Sequence, residues 1–174
     1  FYLYRVHGYQ GDQVKATETL AKFNQLKKRF PGREGEYIAA VRTLTADQNS
    51  DKYQELMKRL IAEFPKEKRY PFELGNFFAG RARYDEATGW FAKTLELDPN
   101  FGPALNLMAY LRSYQNDYQG AVGFLERYAV AQPGDANPHD SLGDLHFKFG
   151  QLEAAVAKYQ EALAIKPDFG TEWK

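Results

Sequence analysis

The side chains with the widest chemical range are three histidines, a scatter of carboxylates and a large set of tyrosines. His139 and His146 stand seven apart, two turns along one helix face, and a metal site there needs a third ligand. The sequence offers none nearby, so both are expected to replace aromatics in the core, and no metal is expected. His7, beside Gly8, has neighbours that define no role for it. Asp140 and Asp144 are four apart and share a face. Such a pair is more readily a solvated surface than an acid–base couple. The chain has no cysteine, which removes disulfide and thiolate chemistry. It also lacks a glycine-rich phosphate loop, a zinc-type ligand spacing and a nucleophile elbow. Gly32-Arg33-Glu34-Gly35 reads only as a turn. The expectation is a protein that is not an enzyme and uses no cofactor. Tyr110 and Tyr114, four apart on one helix face, remain as binding rather than reacting groups.

The elements that hold these residues come from a repeat. Pro31, Pro65, Pro99, Pro133 and Pro167 are spaced by 34 residues, a solenoid period. The clearest unit runs from Asp135 to Pro167. Leu142, Gly143, His146 and Phe147 are expected on one side of its first helix, and Ala155, Tyr159, Ala162 and Leu163 on one side of its second. Gly150 marks the end of the first helix, and Asn137-Pro138 reads as a capping side chain followed by a first-turn proline. Earlier units repeat the pattern. The third places Phe72, Leu74, Gly75 and Phe78 before a turn near Arg83, then Ala87, Phe91 and Leu95. The fourth places Leu105, Met108, Ala109 and Leu111, then Ala121, Leu125 and Tyr128. In the second, Tyr37, Ala40, Val41 and Leu44 precede Tyr53, Leu56, Met57, Leu60, Ile61 and Phe64, with Ser50 as a helix cap. A helix from about Val14 to Phe30 ends the first. The units are expected at 1–31, 32–65, 66–99, 100–133 and 134–167, in one solenoid over 1–174. Residues 168–174 would open a further helix, since Asp168 to Trp173 repeats the pattern of Asn100 to Leu105. The chain reads as a piece of something longer, open at both ends.

Composition agrees with a folded chain and narrows the partner. Of 174 residues, 44% are apolar and 16% aromatic, which excludes disorder. The 23 basic and 23 acidic residues cancel, so no global field favours nucleic acid or an anionic membrane. No basic stripe exceeds a few residues, Lys27-Lys28-Arg29 and the segment from Lys66 to Arg69 being the strongest. No apolar run is long enough for a membrane helix.

On these residues the chain resembles tetratricopeptide repeat proteins, over essentially its whole length. The match in the fifth unit is Leu142, Gly143, His146 or Phe147, Gly150, Ala155, Tyr159, Ala162 and Pro167. In the third it is Leu74, Gly75, Phe78, Ala82, Ala87, Phe91, Thr94 and Pro99. The resemblance implies an all-α, right-handed superhelical solenoid of antiparallel helix pairs. Small residues let helices approach, aromatics fill the gaps, and one hairpin cannot bury its own apolar face. Ala40-Val41 and Tyr53 in the second unit, and Met108-Ala109 and Tyr128 in the fourth, depart from the pattern. Each is expected to require a wider helix separation or a local rotation.

The resemblance also implies a site: first-helix residues lining a concave groove that binds a partner's extended peptide or helix. Unit by unit these are Arg42; Arg69, Phe72, Asn76 and Ala79; Asn106, Tyr110, Ser113 and Tyr114; and Asp140, Asp144 and Lys148. Asn76, Tyr110 and Asp144, each 34 residues from the next, are expected to form a ladder. One subgroup of the family clamps a chaperone's C-terminal carboxylate with lysines, asparagines and an arginine. Asn76 and Asn106 match parts of that set, but Asp140 and Asp144 would repel a carboxylate, which excludes that ligand. The expected function is a protein-interaction scaffold. Its alternatives are the repeat region of a larger enzyme or signalling protein, and a module that self-associates through its open ends.

Overall fold

The computed structural model describes residues 50–168, and every helix in it is α. The chain divides into two compact units, 1–65 and 66–174. In the first, the described part is one helix, α1 (Ser50–Glu63), which buries Tyr53, Met57, Leu60 and Ile61 on one face. Ser50 is the first residue of this helix rather than a cap before it.

The second unit contains α2 (Arg69–Ala79), α3 (Tyr84–Leu97), α4 (Gly102–Tyr114), α5 (Tyr118–Ala131), α6 (Asn137–Lys148) and α7 (Leu152–Ile165). The helices pack as antiparallel pairs, α2 with α3, α4 with α5 and α6 with α7. Successive pairs join through α3 on α4 and α5 on α6, while α4 also touches α6 directly. This is a helix-pair solenoid, as expected from the 34-residue period.

Each pair turns in the same way. Ala82, Asn116 and Gly150, spaced by one repeat, have φ of 56°, 59° and 76°. The next amide reaches back five residues, Arg83 to the Phe78 carbonyl, Asp117 to Arg112 and Gln151 to His146, at 2.9–3.0 Å. The left-handed residues themselves donate to Ala79, Ser113 and Phe147. That pair of bonds satisfies carbonyls that the ending helix leaves free. Helix starts vary more. Asp117 caps α5 by accepting from the Gly120 amide at 2.9 Å. For α6 the expected cap, Asn137, is itself helical, and Asp135 accepts the Asn137 amide at 3.0 Å instead.

Inside each pair a small residue on the first helix meets a large one on the second. A methyl group on Gly75 would lie 2.5 Å from the Phe91 ring, and one on Gly143 would lie 2.4 Å from the Tyr159 ring. In α4/α5 the equivalent residues are Ala109 and Leu125, both buried. The added methyl of Ala109 is thus met by a smaller partner. Tyr128 is accommodated similarly, its ring lying where a Gly102 methyl would sit, 2.3 Å away. Both departures in this pair are matched by complementary residues beside them.

Several expected core positions are not core. Phe147 is 64% exposed, and Leu145, two residues back and about 200° round the helix, is buried instead. Leu145 joins Leu142, Ala109, Ala121 and Leu125 in the cluster between α4, α5 and α6. Leu163 is 46% exposed, one position round from the buried Ala162. The histidines do not replace core aromatics either. His139 Nδ1 lies 2.8 Å from Glu161, and His146 Nδ1 lies 2.9 Å from the Tyr118 hydroxyl and 3.0 Å from Gln151 Oε1. Both rings are half-buried in polar company, so their hydrogen-bonding capacity decides their place.

Candidate functional site

The first helices α2, α4 and α6 carry the residues that the repeat pattern assigns to a groove, and two cavities open along them. One, of about 190 Å³, has Ala109, Leu125 and Leu145 in its walls together with Tyr110, Ser113, Tyr114, Ser141, Asp144 and Lys148. The second, of about 330 Å³, is lined by Ala79, Tyr84, Phe91, Leu107, Leu111 and the same two tyrosines. Tyr110 and Tyr114, one turn apart on α4, therefore border both cavities. Tyr114 is 62% exposed and stacks on Tyr84, ring centroids 5.7 Å apart and 24° from parallel. Tyr110 is half-buried, and its hydroxyl stands 3.4 Å from Ser141 Oγ, long for an O–H···O bond. Burial, with the nearby Asp144 and Asp140 charges, holds the Tyr110 phenol above its ordinary range.

On α6, Asp140, Asp144 and Lys148 follow one another at four-residue steps. Asp144 accepts a hydrogen bond from the Tyr159 hydroxyl at 2.8 Å. Burial, that bond and the neighbouring carboxylates push the Tyr159 phenol up to about 12. Asp140 is half-buried, and burial together with the Asp144 charge raises its pKa. Lys148 is already engaged. Its ammonium donates to the Ser113 carbonyl at 2.7 Å and the Ser113 hydroxyl at 2.9 Å, and lies 5.3 Å above the Tyr114 ring. It thereby supplies positive charge to the C-terminal turn of α4.

Among described residues, no group of three or more histidines, carboxylates or cysteines is placed to hold a metal ion. No described helix is long and apolar enough to cross a membrane.

The Tetratricopeptide repeat family model matches residues 106–168, from within α4 to the end of the described chain. Solved structures extend the likeness. A thermophilic TPR protein of Thermus thermophilus aligns with 97% of this chain and 90% of its own, at 18% identity and a TM-score of 0.71. A crystal structure of MamA aligns over 97% of each chain, at 15% identity and a TM-score of 0.67. MamA from residue 41 to its end, from Desulfovibrio magneticus, covers 78% of this chain and 76% of that one, at 22% identity and a TM-score of 0.64. The fold is that of tetratricopeptide repeats. Among curated proteins the sequence finds no significant match.

Within that repeat fold, the groove residues expected from the sequence separate into three groups. Tyr110, Tyr114, Asp144 and Lys148 come together around one cavity, joined by Ser113. Asn106 and Asp140 each lie one turn before a lining residue, Tyr110 on α4 and Asp144 on α6, and do not line it. Asn106 Oδ1 is buried and has no hydrogen-bond partner among the described residues. Arg69 and Asn76 stand on α2, exposed and half-buried, outside both cavities. Arg42 lies outside the described residues. Tyr84 and Tyr159 had no place in the expected site, because both belong to second helices. The 34-residue offset that finds first-helix neighbours does not reveal a second-helix ring reaching into the groove.

Proposed function

We propose that this chain is a protein-interaction scaffold that takes up a peptide or helix of a partner protein along α2, α4 and α6. The repeat fold serves protein–protein interaction generally, and no catalytic motif argues for another use. The observation that carries the reading is the Tyr110/Tyr114 ridge with a cavity on each side. Tyrosines offer a ligand rigid, amphipathic area at low conformational cost, and such rings dominate many interfaces. Arg69, Asn76, Asn106, Asp140 and Asp144 stand on these same first helices and would add polar contacts beside the ridge. An exposed apolar stripe on α7, Leu152, Val156 and Leu163, favours a second reading, association with another copy.

The test is affinity capture from a lysate of the source organism, with the 174-residue chain and a Tyr110→Ala/Tyr114→Ala variant as paired baits. The variant is expected to lose the captured partner while keeping its helical circular dichroism. Because Tyr114 is largely exposed, Tyr114→Ala alone keeps the fold and should weaken capture at least several-fold. A partner held equally by wild type and both variants refutes the groove.

A further inference from the structure

We infer that the cavity between α4, α5 and α6 receives a basic peptide, with a bulky apolar side chain in the cavity and a neighbouring lysine or arginine against Asp140 and Asp144. This rests on the groove reading and specifies its ligand. The apolar half follows from the cavity itself. Ala109, Leu125 and Leu145 give it carbon walls, and about 190 Å³ exceeds the ~150 Å³ that accepts a benzene ring in an engineered protein cavity. One leucine- or phenylalanine-sized side chain fits that space.

The basic half follows from what the rim leaves unanswered. Asp140 is half-buried and its carboxylate has no hydrogen bond or ion pair among the described residues, and the Asp144 carboxylate takes only the Tyr159 hydroxyl. Lys148 is two turns, about 12 Å, along α6 from Asp140, and its ammonium is tied to Ser113. The α6 edge of the cavity therefore presents the Asp144 carboxylate, with Asp140 one turn beyond it, while the Lys148 charge sits at the Ser113 end. An acidic peptide would be repelled, and a neutral one would leave Asp140 without a counter-charge. An ammonium or guanidinium supplies several donors and the missing charge together.

A display library of random twelve-residue peptides, selected on the 174-residue chain at low salt, tests this. Selected peptides should carry lysine or arginine within a few residues of a large apolar side chain. They should bind Asp140→Asn/Asp144→Asn at least tenfold more weakly, and should weaken similarly when the basic residue is replaced by norleucine. The asparagine variant preserves shape, and its thermal melt checks the fold. Peptides that lose binding to Tyr114→Ala but not to the asparagine pair would overturn the charge assignment and leave the groove intact. Selection of acidic or neutral peptides from the groove would do the same. Peptides indifferent to both variants, or no enrichment at all, would overturn this inference and the groove reading together.

Discussion

Ala82 adopts a conformation that glycine holds in the equivalent turn of α6/α7. Its φ of 56° belongs to the left-handed region, as do those of Asn116 and Gly150 at the same repeat position. A Cβ there crowds the following carbonyl at about 1–2 kcal/mol, a cost that asparagine partly escapes and glycine avoids. Ala82→Gly should therefore stabilise the second unit by about 1 kcal/mol, after allowing for glycine's freer unfolded state. In thermal unfolding that corresponds to a rise of roughly 4 °C or more for a unit of this size. An unchanged or lower melting temperature would mean that the turn relaxes around alanine without strain. In the sequence, Gly150 advertises the turn and Ala82 hides it. Only the 34-residue spacing reveals that the two positions perform the same task.

Between paired helices, the recurring unit is a contact rather than a residue. Gly75 with Phe91 and Gly143 with Tyr159 pair glycine with a ring, whereas Ala109 pairs with Leu125. The α4/α5 pair thus already contains the compensated exchange. Gly143→Ala alone should cost about 1–3 kcal/mol, because the new methyl collides with the Tyr159 ring. Adding Tyr159→Leu should recover much of that, giving a favourable coupling of about 1 kcal/mol or more in a urea-denaturation double-mutant cycle. Strict additivity would show that the two side chains do not share one space. Periodicity made helix existence, pairing and most of the core legible, including Leu74, Phe91, Leu105, Leu125 and Leu142. It did not separate Leu145 from Phe147, because a two-residue difference reverses the face and both are large and apolar. Nor did it place His146, whose ring is held by Tyr118 and Gln151. The site was legible to the extent that it follows the first-helix register, which brings Tyr110 near Asp144. Tyr84, Tyr159 and the Lys148–Ser113 contact depend on side chains crossing between helices.

Across the second unit, neighbouring repeats support one another, so one repeat position carries different weight depending on what packs over it. Val122 on α5 is partly buried against the cluster that includes Leu142 and Leu145 of α6. Val156, the same position one repeat later on α7, is 55% exposed beside Leu152 and Leu163. Val122→Glu removes apolar burial and places a charge against leucines, and should cost about 2–3 kcal/mol. Val156→Glu should stay within about 0.5 kcal/mol of wild type, as expected for an exposed site. Guanidinium unfolding of the two variants in parallel separates an inner repeat interface from an outer face. The same pair bears on association between copies. If α7 carries it, sedimentation of wild type will shift to larger species with concentration, and Val156→Glu will abolish the shift at nearly unchanged stability. If Val156→Glu instead destabilises the dilute monomer as strongly as Val122→Glu, the α7 face supports the chain's own fold, and the self-association reading loses the one observation in its favour.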